Sequence, residues 1–295
     1  MRHLYIIGNG FDIYTGLATR YSDFRRWLEN NNPFIYESMQ AVYDIDAEWW
    51  NDFEEQLGLL DIKKYVKKFT PPAKSFNKIM PEVKRRRRLE EKYGSDMLPS
   101  SDSQCARRLR GLLDVLQYCF EKWVKEQRTI VNPQYIHIET EDSFFINFNY
   151  TDVLELLYQI PEERVLHMHG RSSKREDLIY GHGKLVLGGF PDEDEEKVSF
   201  ALSKYNKNPY KYIREHLELK DIIKDVEYVH IFGFSFSPID EDYIDWIFQN
   251  VKGGSQWEVS WFSEKDRNRI DKFVLGHSGL KERLSLVRLE DMSKS

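Results

Sequence analysis

The stretch Leu4-Tyr5-Ile6-Ile7-Gly8-Asn9-Gly10-Phe11-Asp12 decides how the rest of the chain is read. Its four apolar residues fit a buried strand, and Gly-Asn-Gly behind them fits a sharp strand-to-helix turn. A strand ending in Gly-x-Gly lets backbone amides approach a phosphate closely, because no Cβ stands in the way. The spacing departs from the dinucleotide fingerprint: Ile13 stands where a third glycine belongs, and the next glycine is Gly16. A tight turn with no ligand explains the same letters. The place of the turn, on the first strand of an α/β chain, favours a nucleotide role.

Working outward, residues 135–138, 144–148, 165–169, 228–233 and 257–262 have strand character, with 178–180 as a further candidate. Helical patterns alternate with them: a helix from Asp23 capped by Ser22, then 47–60, 209–224, 240–250 and 264–276. The acidic stretch 192–196 reads as a solvated loop. This alternation predicts an α/β fold, a Rossmann-like, mostly parallel sheet flanked by helices. Between 63 and 129 the character changes. Pro71, Pro72 and Pro81 break the chain, and Leu109, Leu112, Leu113, Leu116, Cys119, Phe120 and Trp123 then recur at helical spacing. We therefore expect a helical insertion at 63–129 within a nucleotide-binding core of 1–62 and 130–295.

The 295 residues are 41% apolar and 14% aromatic, enough to bury a sizeable core. Charged residues of both signs are mixed, and the net charge of -6 argues against a chain built to coat nucleic acid. The run Lys84-Arg85-Arg86-Arg87-Arg88 reads as an exposed face. Two cysteines, Cys105 and Cys119, exclude a four-cysteine zinc site and offer no disulfide framework. The apolar run near the N-terminus is too short for a signal peptide, and no run reaches the ~18 residues that span a bilayer. A cytoplasmic location with no membrane partner is expected.

Three further segments carry candidate chemistry. In Phe145-Ile146-Asn147-Phe148-Asn149-Tyr150-Thr151-Asp152, two asparagines and an aspartate crowd a strand end, where polar residues cost strand propensity. Thr151 or Asp152 can cap the following helix, which leaves Asn149 for a ligand. In Val165-Leu166-His167-Met168-His169-Gly170, the two histidines are two apart on a strand and are expected on one face. Neutral imidazole can act as a base near pH 7 or ligate a metal. Tyr180-Gly181-His182-Gly183 adds another histidine on a turn. Gly233-Phe234-Ser235 ends a buried strand, and Ser235 can donate to a phosphate or ribose. Asp240, Glu241 and Asp242 suit the start of a helix. Gly-Phe-Ser lacks the second glycine of a nucleophile elbow. Glu48, Trp50, Phe53 and Glu54 form an acidic, aromatic helix face whose rings are assigned to a core.

In combination these segments resemble the AbiH family of phage abortive-infection proteins. The carrying residues are Leu4 to Asp12 with Gly16-Leu17, Trp50-Asn51-Asp52-Phe53-Glu54, Phe148 to Asp152, His167-Met168-His169-Gly170, Gly181-His182-Gly183 and Gly233-Phe234-Ser235. The same order is distantly similar to the sirtuin-like NAD-cleaving fold. Its Gly-Ala-Gly, Gly-Ile-Pro, Asn-x-Asp, His-Gly and Gly-x-Ser segments match Gly8-Asn9-Gly10, Gly16-Leu17-Ala18, Asn149-Tyr150, His169-Gly170 and Gly233-Phe234-Ser235. Asp152 stands one place late, and the four zinc-binding cysteines of deacylases are missing.

The resemblance implies an antiviral NAD hydrolase, with NAD as substrate and no metal expected. Asn149 would orient water and ribose hydroxyls, His169 would act as general base, and Asp152 would orient a hydroxyl or the histidine. Gly8, Asn9, Gly10, Phe11, Asp12, Gly16, Tyr150, Gly170, Gly233, Phe234 and Ser235 are expected around the nucleotide, the Gly8 and Gly10 amides on its pyrophosphate. Two other readings stay open. One is a metal-dependent phosphoesterase or nuclease using His167, His169, His182 and Asp152; the other is a non-enzymatic nucleotide sensor. A phage or host trigger and assembly into a homo-oligomer are the partners implied for control.

Overall fold

A computed structural model describes residues 1–46, 48–68, 104–127, 130, 133–174, 178–183 and 191–292. Its centre is a six-stranded, all-parallel sheet of β1 (His3–Ile7), β2 (Ser143–Asn147), β3 (Val165–His167), β4 (Tyr228–Phe232), β5 (Gln256–Ser260) and β6 (Leu284–Val287). The strand order is β3-β2-β1-β4-β5-β6. The chain winds outward from β1 on one side, then returns to β1's other edge and winds the opposite way. That reversal falls between β1 and β4, and in sheets of this kind the carboxyl ends of the strands at the reversal are where ligands are taken. Register brings Ile7 beside both Asn147 and Phe232, so the three strand ends lie level.

Alternation along β1 explains why both faces are covered. Leu4 and Ile6 join Ile146, Val229 and Ile231 in one buried cluster. Against it pack Tyr243, Ile244 and Ile247 of α11 (Glu241–Asn250), and Ile270 and Phe273 of α12 (Glu264–Gly276). Tyr5 and Ile7 point the other way, into a cluster with Phe145 and Phe232. There the cover comes from Phe11 of α1 (Asn9–Tyr14) and from Val153 and Leu154 of α7 (Val153–Leu157). Burying side chains on both faces is what continuous apolar strands of a parallel sheet require.

The chain divides into two compact units. Met1–Arg20, Val124–Ile179 and Asn208–Ser295 form the first and contain the sheet. Tyr21–Trp123 and Tyr180–Lys207 form the second. The described helices of the second unit are α2 (Tyr21–Asn31), α3 (Pro33–Val42), α4 (Phe53–Gly58), α5 (Ile62–Lys67), most of α6 (Gln104–Glu126) and α8 (Glu193–Ser203). Its interior is aromatic: Phe24 meets Phe120 edge-on at 5.4 Å and Trp50 stacks on Phe53 at 5.3 Å. A buried ion pair, Lys207 Nζ to Glu54 Oε2 at 2.9 Å, crosses that interior. All seven residues of the expected α6 stripe, Leu109 through Trp123, are buried. The basic run at 84–88 lies outside the described residues.

Several local expectations are corrected. Residues 135–138 and 178–180 form no strand of the sheet, although Ile136 and Ile138 are buried. Ile136 and Ile138 pack into the cluster that holds Tyr5 and Ile7. α2 begins at Tyr21, so Ser22 lies inside it and is not its cap. Residues 49–58 split into a 3-10 turn, Trp49–Asp52, followed by α4. The acidic stretch at 192–196 is helical, because Asp192 and Glu195 make a capping box and the remaining acids line the first turn. The expected helix at 209–224 breaks into α9 (Pro209–Glu215) and α10 (Leu219–Ile223). No described helix is long and apolar enough to cross a membrane.

Candidate functional site

The turns that end β1 and β4 are pressed together backbone to backbone. A Cβ on Gly8 would lie 2.6 Å from Gly233 O, and one on Gly10 would lie 2.8 Å from Gly233 Cα. Gly233 itself has φ +65, and its Cβ would stand 2.0 Å from Phe11 N. No other residue fits these positions. Gly8 N–H donates to Phe232 O at 3.0 Å, and Gly10 N–H donates to Gly233 O at 2.8 Å. The two amides expected on a pyrophosphate are therefore already engaged inside the fold. Asn9 is half-buried and donates from Nδ2 to Thr19 O at 2.8 Å. Phe11 and Phe234 are buried core rings, Gly16 has φ +103 behind α1, and Ser235 is exposed.

Beside this junction lies a buried polar network. Asp12, 1% exposed, accepts from Asn149 Nδ2 at 2.7 Å and from Thr151 Oγ1 at 2.5 Å. Burial pushes its carboxyl up to about 7, while the Thr151 and Asn149 hydrogen bonds pull the other way. Asn149 spends its second amide N–H on Gly8 O at 3.0 Å. Both donors of the carboxamide are thus used, and its Oδ1 accepts from nothing among the described residues. The local cause is the end of β2. Asn147 Oδ1 accepts from Asn149 N at 2.9 Å, an Asx turn that lifts the chain off the strand.

The two histidines do not share a face. β3 ends at His167, so the two-residue period stops before His169. His167 Nε2 bonds Glu155 Oε1 at 2.7 Å on the α7 side of the sheet. His169 turns to the other side, edge-on to Phe148 at 5.2 Å and to Tyr243 at 5.9 Å. Its Nε2 lies 3.6 Å from Asp240 Oδ1. The loop around it is pinned: Ile179 N–H donates to His169 O, the Tyr150 hydroxyl donates to Ile179 O (each 2.9 Å), and Gly170 takes φ +82. His182 belongs to the second unit, fully buried, with its ring nitrogens on Gly183 O at 2.6 Å and Leu202 O at 2.9 Å.

Asp152 does not reach for a histidine. Its Oδ1 is bonded by Arg171 Nε and by Ser173 Oγ at 2.9 Å. Arg171 also lies 2.9 Å from Glu162 and 3.7 Å from Glu155. Ligand atoms of Asp152, Glu155 and His167 fall within 4.8 Å of one another, a spacing that suits a cation. Arg171 already supplies positive charge to both carboxylates. Two residues gained importance only from the structure. Asp240, read as a helix-dipole residue, makes no side-chain cap and faces His169 instead. Glu155 orients His167, a link between two segments that no local pattern announces.

A family model described as "Bacteriophage abortive infection AbiH" matches residues 4–261, most of the chain. No curated protein matches it.

Proposed function

The chain belongs to the AbiH family of bacteriophage abortive-infection proteins, which gives it an anti-phage role in bacteria, and within that role we propose that it hydrolyses the nicotinamide–ribose bond of NAD. The observation that carries this reading is the locked carboxamide of Asn149. It sits at the carboxyl end of β2, beside β1, with both donors engaged and only an acceptor oxygen left to offer. A fixed acceptor there suits a ribose hydroxyl or an attacking water.

In this reaction water attacks C1′ of the ribose, the C1′–N bond breaks, and nicotinamide leaves as a neutral molecule with the bonding pair. The transition state has oxocarbenium character. Asn149 Oδ1 accepts from the water or a hydroxyl, and the His169 imidazole takes the proton that water loses. Asp240, 3.6 Å from His169 Nε2, stabilises the imidazolium that results. Asp12, itself bonded by Thr151, holds the Asn149 carboxamide in place.

The test is chromatography of nicotinamide and ADP-ribose from NAD incubated with the full chain. Loss of His169 as general base lowers the rate ~10²–10⁴-fold. Product from wild type that collapses in His169→Ala and Asn149→Ala, and persists with chelator, supports the reading. Wild-type rates in both variants sink it. A metal-dependent phosphoesterase is the second reading, favoured by the Asp152, Glu155 and His167 spacing. It requires activity that chelator abolishes and that Glu155→Gln impairs.

A further inference from the structure

β5 and β6 end side by side, with Ser260 paired to Val287. The pairing continues one step beyond, where Trp261 N–H donates to Val287 O at 3.1 Å. Register therefore delivers Trp261 and Arg288 as neighbours at the carboxyl edge of the sheet. The Arg288 guanidinium lies 3.8 Å from the centre of the Trp261 ring, and that of Arg267, from the first turn of α12, lies 5.2 Å from it. Arg288 is fixed there by donating from Nη1 to Phe262 O at 3.1 Å.

Neither arginine has a carboxylate partner among the described residues. The nearest acid in the turn, Asp266, is committed to Ser263 N and Oγ, each at 2.9 Å. Two unpaired guanidiniums beside one indole are unexpected in a chain of net charge -6. Guanidinium forks match phosphate oxygens, and a guanidinium layered on an indole presents a flat, cationic surface to a base. From β2 to β5 there are three strand spacings, about 14 Å. A pyrophosphate-linked dinucleotide spans such a gap; a single nucleoside does not. Arg267 and Arg288 lie beyond the residues that the family model matches.

We propose that Trp261, Arg267 and Arg288 form the seat of an adenine mononucleotide half, with phosphate on the two guanidiniums and the base against the Trp261–Arg288 stack. As the second half-site of NAD it rests on the hydrolase reading; as a binding site for AMP it can be measured without it.

The experiment titrates AMP, adenosine and pyrophosphate into the full chain by calorimetry. The variants are Arg288→Gln, Arg288→Lys, Arg267→Gln and the exposed control Lys272→Gln, each checked by circular dichroism. AMP should bind wild type and the control alike, about tenfold more weakly to Arg288→Gln and severalfold more weakly to Arg288→Lys, which keeps the charge and loses the plane. Adenosine and pyrophosphate should each bind more weakly than AMP. In the NAD assay Arg288→Gln should raise KM with kcat unchanged. No AMP binding, or equal binding to wild type and folded Arg288→Gln, overturns the proposal. AMP binding that needs Arg288 in a protein that does not cleave NAD upholds the site and removes the hydrolase reading. NAD cleavage with a KM indifferent to Arg288→Gln does the reverse.

Discussion

Asn149 donates to Asp12 at 2.7 Å across 137 positions of sequence, and the bond joins α1, the helix after β1, to the turn after β2. Its orientation is imposed by Gly8 O, which accepts the other N–H of the same amide at 3.0 Å. Asn149→Asp would set a second carboxylate against the first and leave Gly8 O without its donor. We expect a loss of about 3 kcal/mol or more at pH 8, easing at pH 5 where one proton can be shared. Asn149→Ala should cost about 1–3 kcal/mol at both values. Urea midpoints at the two pH values decide it, and identical behaviour of the two variants would refute the geometry.

Asp12 should make the protein less stable as pH rises. Its carboxyl, pushed by burial from 3.8 to about 7, binds a proton more tightly folded than unfolded. The stability it contributes is complete below 3.8 and is lost as pH climbs through about 7. Asp12→Asn keeps an acceptor for Asn149 and removes the titration. Between pH 5 and 8 the wild type should fall by up to a few kcal/mol relative to that variant. Parallel curves for the two proteins would count against a neutral, buried Asp12.

The glycine junction should tolerate no methyl group. Gly233→Ala combines a left-handed backbone with a Cβ 2.0 Å from Phe11 N. We expect a loss beyond about 3 kcal/mol, or no folded protein. Gly254→Ala, with nothing within 4 Å of the new Cβ, should stay within about 0.5 kcal/mol of wild type. Thermal melts of the pair provide the comparison.

In the second unit, Lys207→Met should strand Glu54, whose Oε2 accepts from Lys207 at 2.9 Å in a buried setting. The single change is expected to cost about 3–5 kcal/mol. Adding Glu54→Leu should recover a large part of that loss, since removing both charges ends the desolvation penalty. A double-mutant cycle in denaturant measures the coupling, and simple additivity would contradict it.

What the sequence disclosed depended on how local each signal was. β1, β2, β4 and β5 are legible as apolar runs that end in turn residues, and α12 as a helical pattern. β6 was missed because a half-buried edge strand, Leu284–Val287, carries no strong alternation. Gly8, Gly10 and Gly233 are legible as special positions, but not their packing against one another. Residue 233 stands far along the chain from Gly8 and Gly10, so no local pattern announces the contact. The expectation of His167 and His169 on one face fails because β3 ends two residues early, at His167. Asn149 and His169 could be named from pattern, but the Asp12 anchor and the Asp240 neighbour are products of topology.

The junction of Gly8, Gly10 and Gly233 also bears on where this fold can vary. Because each Cβ position is filled by the opposing backbone, this spot offers no room for variation. Room for substitution lies around it, in the loop that carries His169, the turn of Asn149, and the residues that follow β5 and β6. The junction is a fixed pin that fastens the end of β1 to the end of β4.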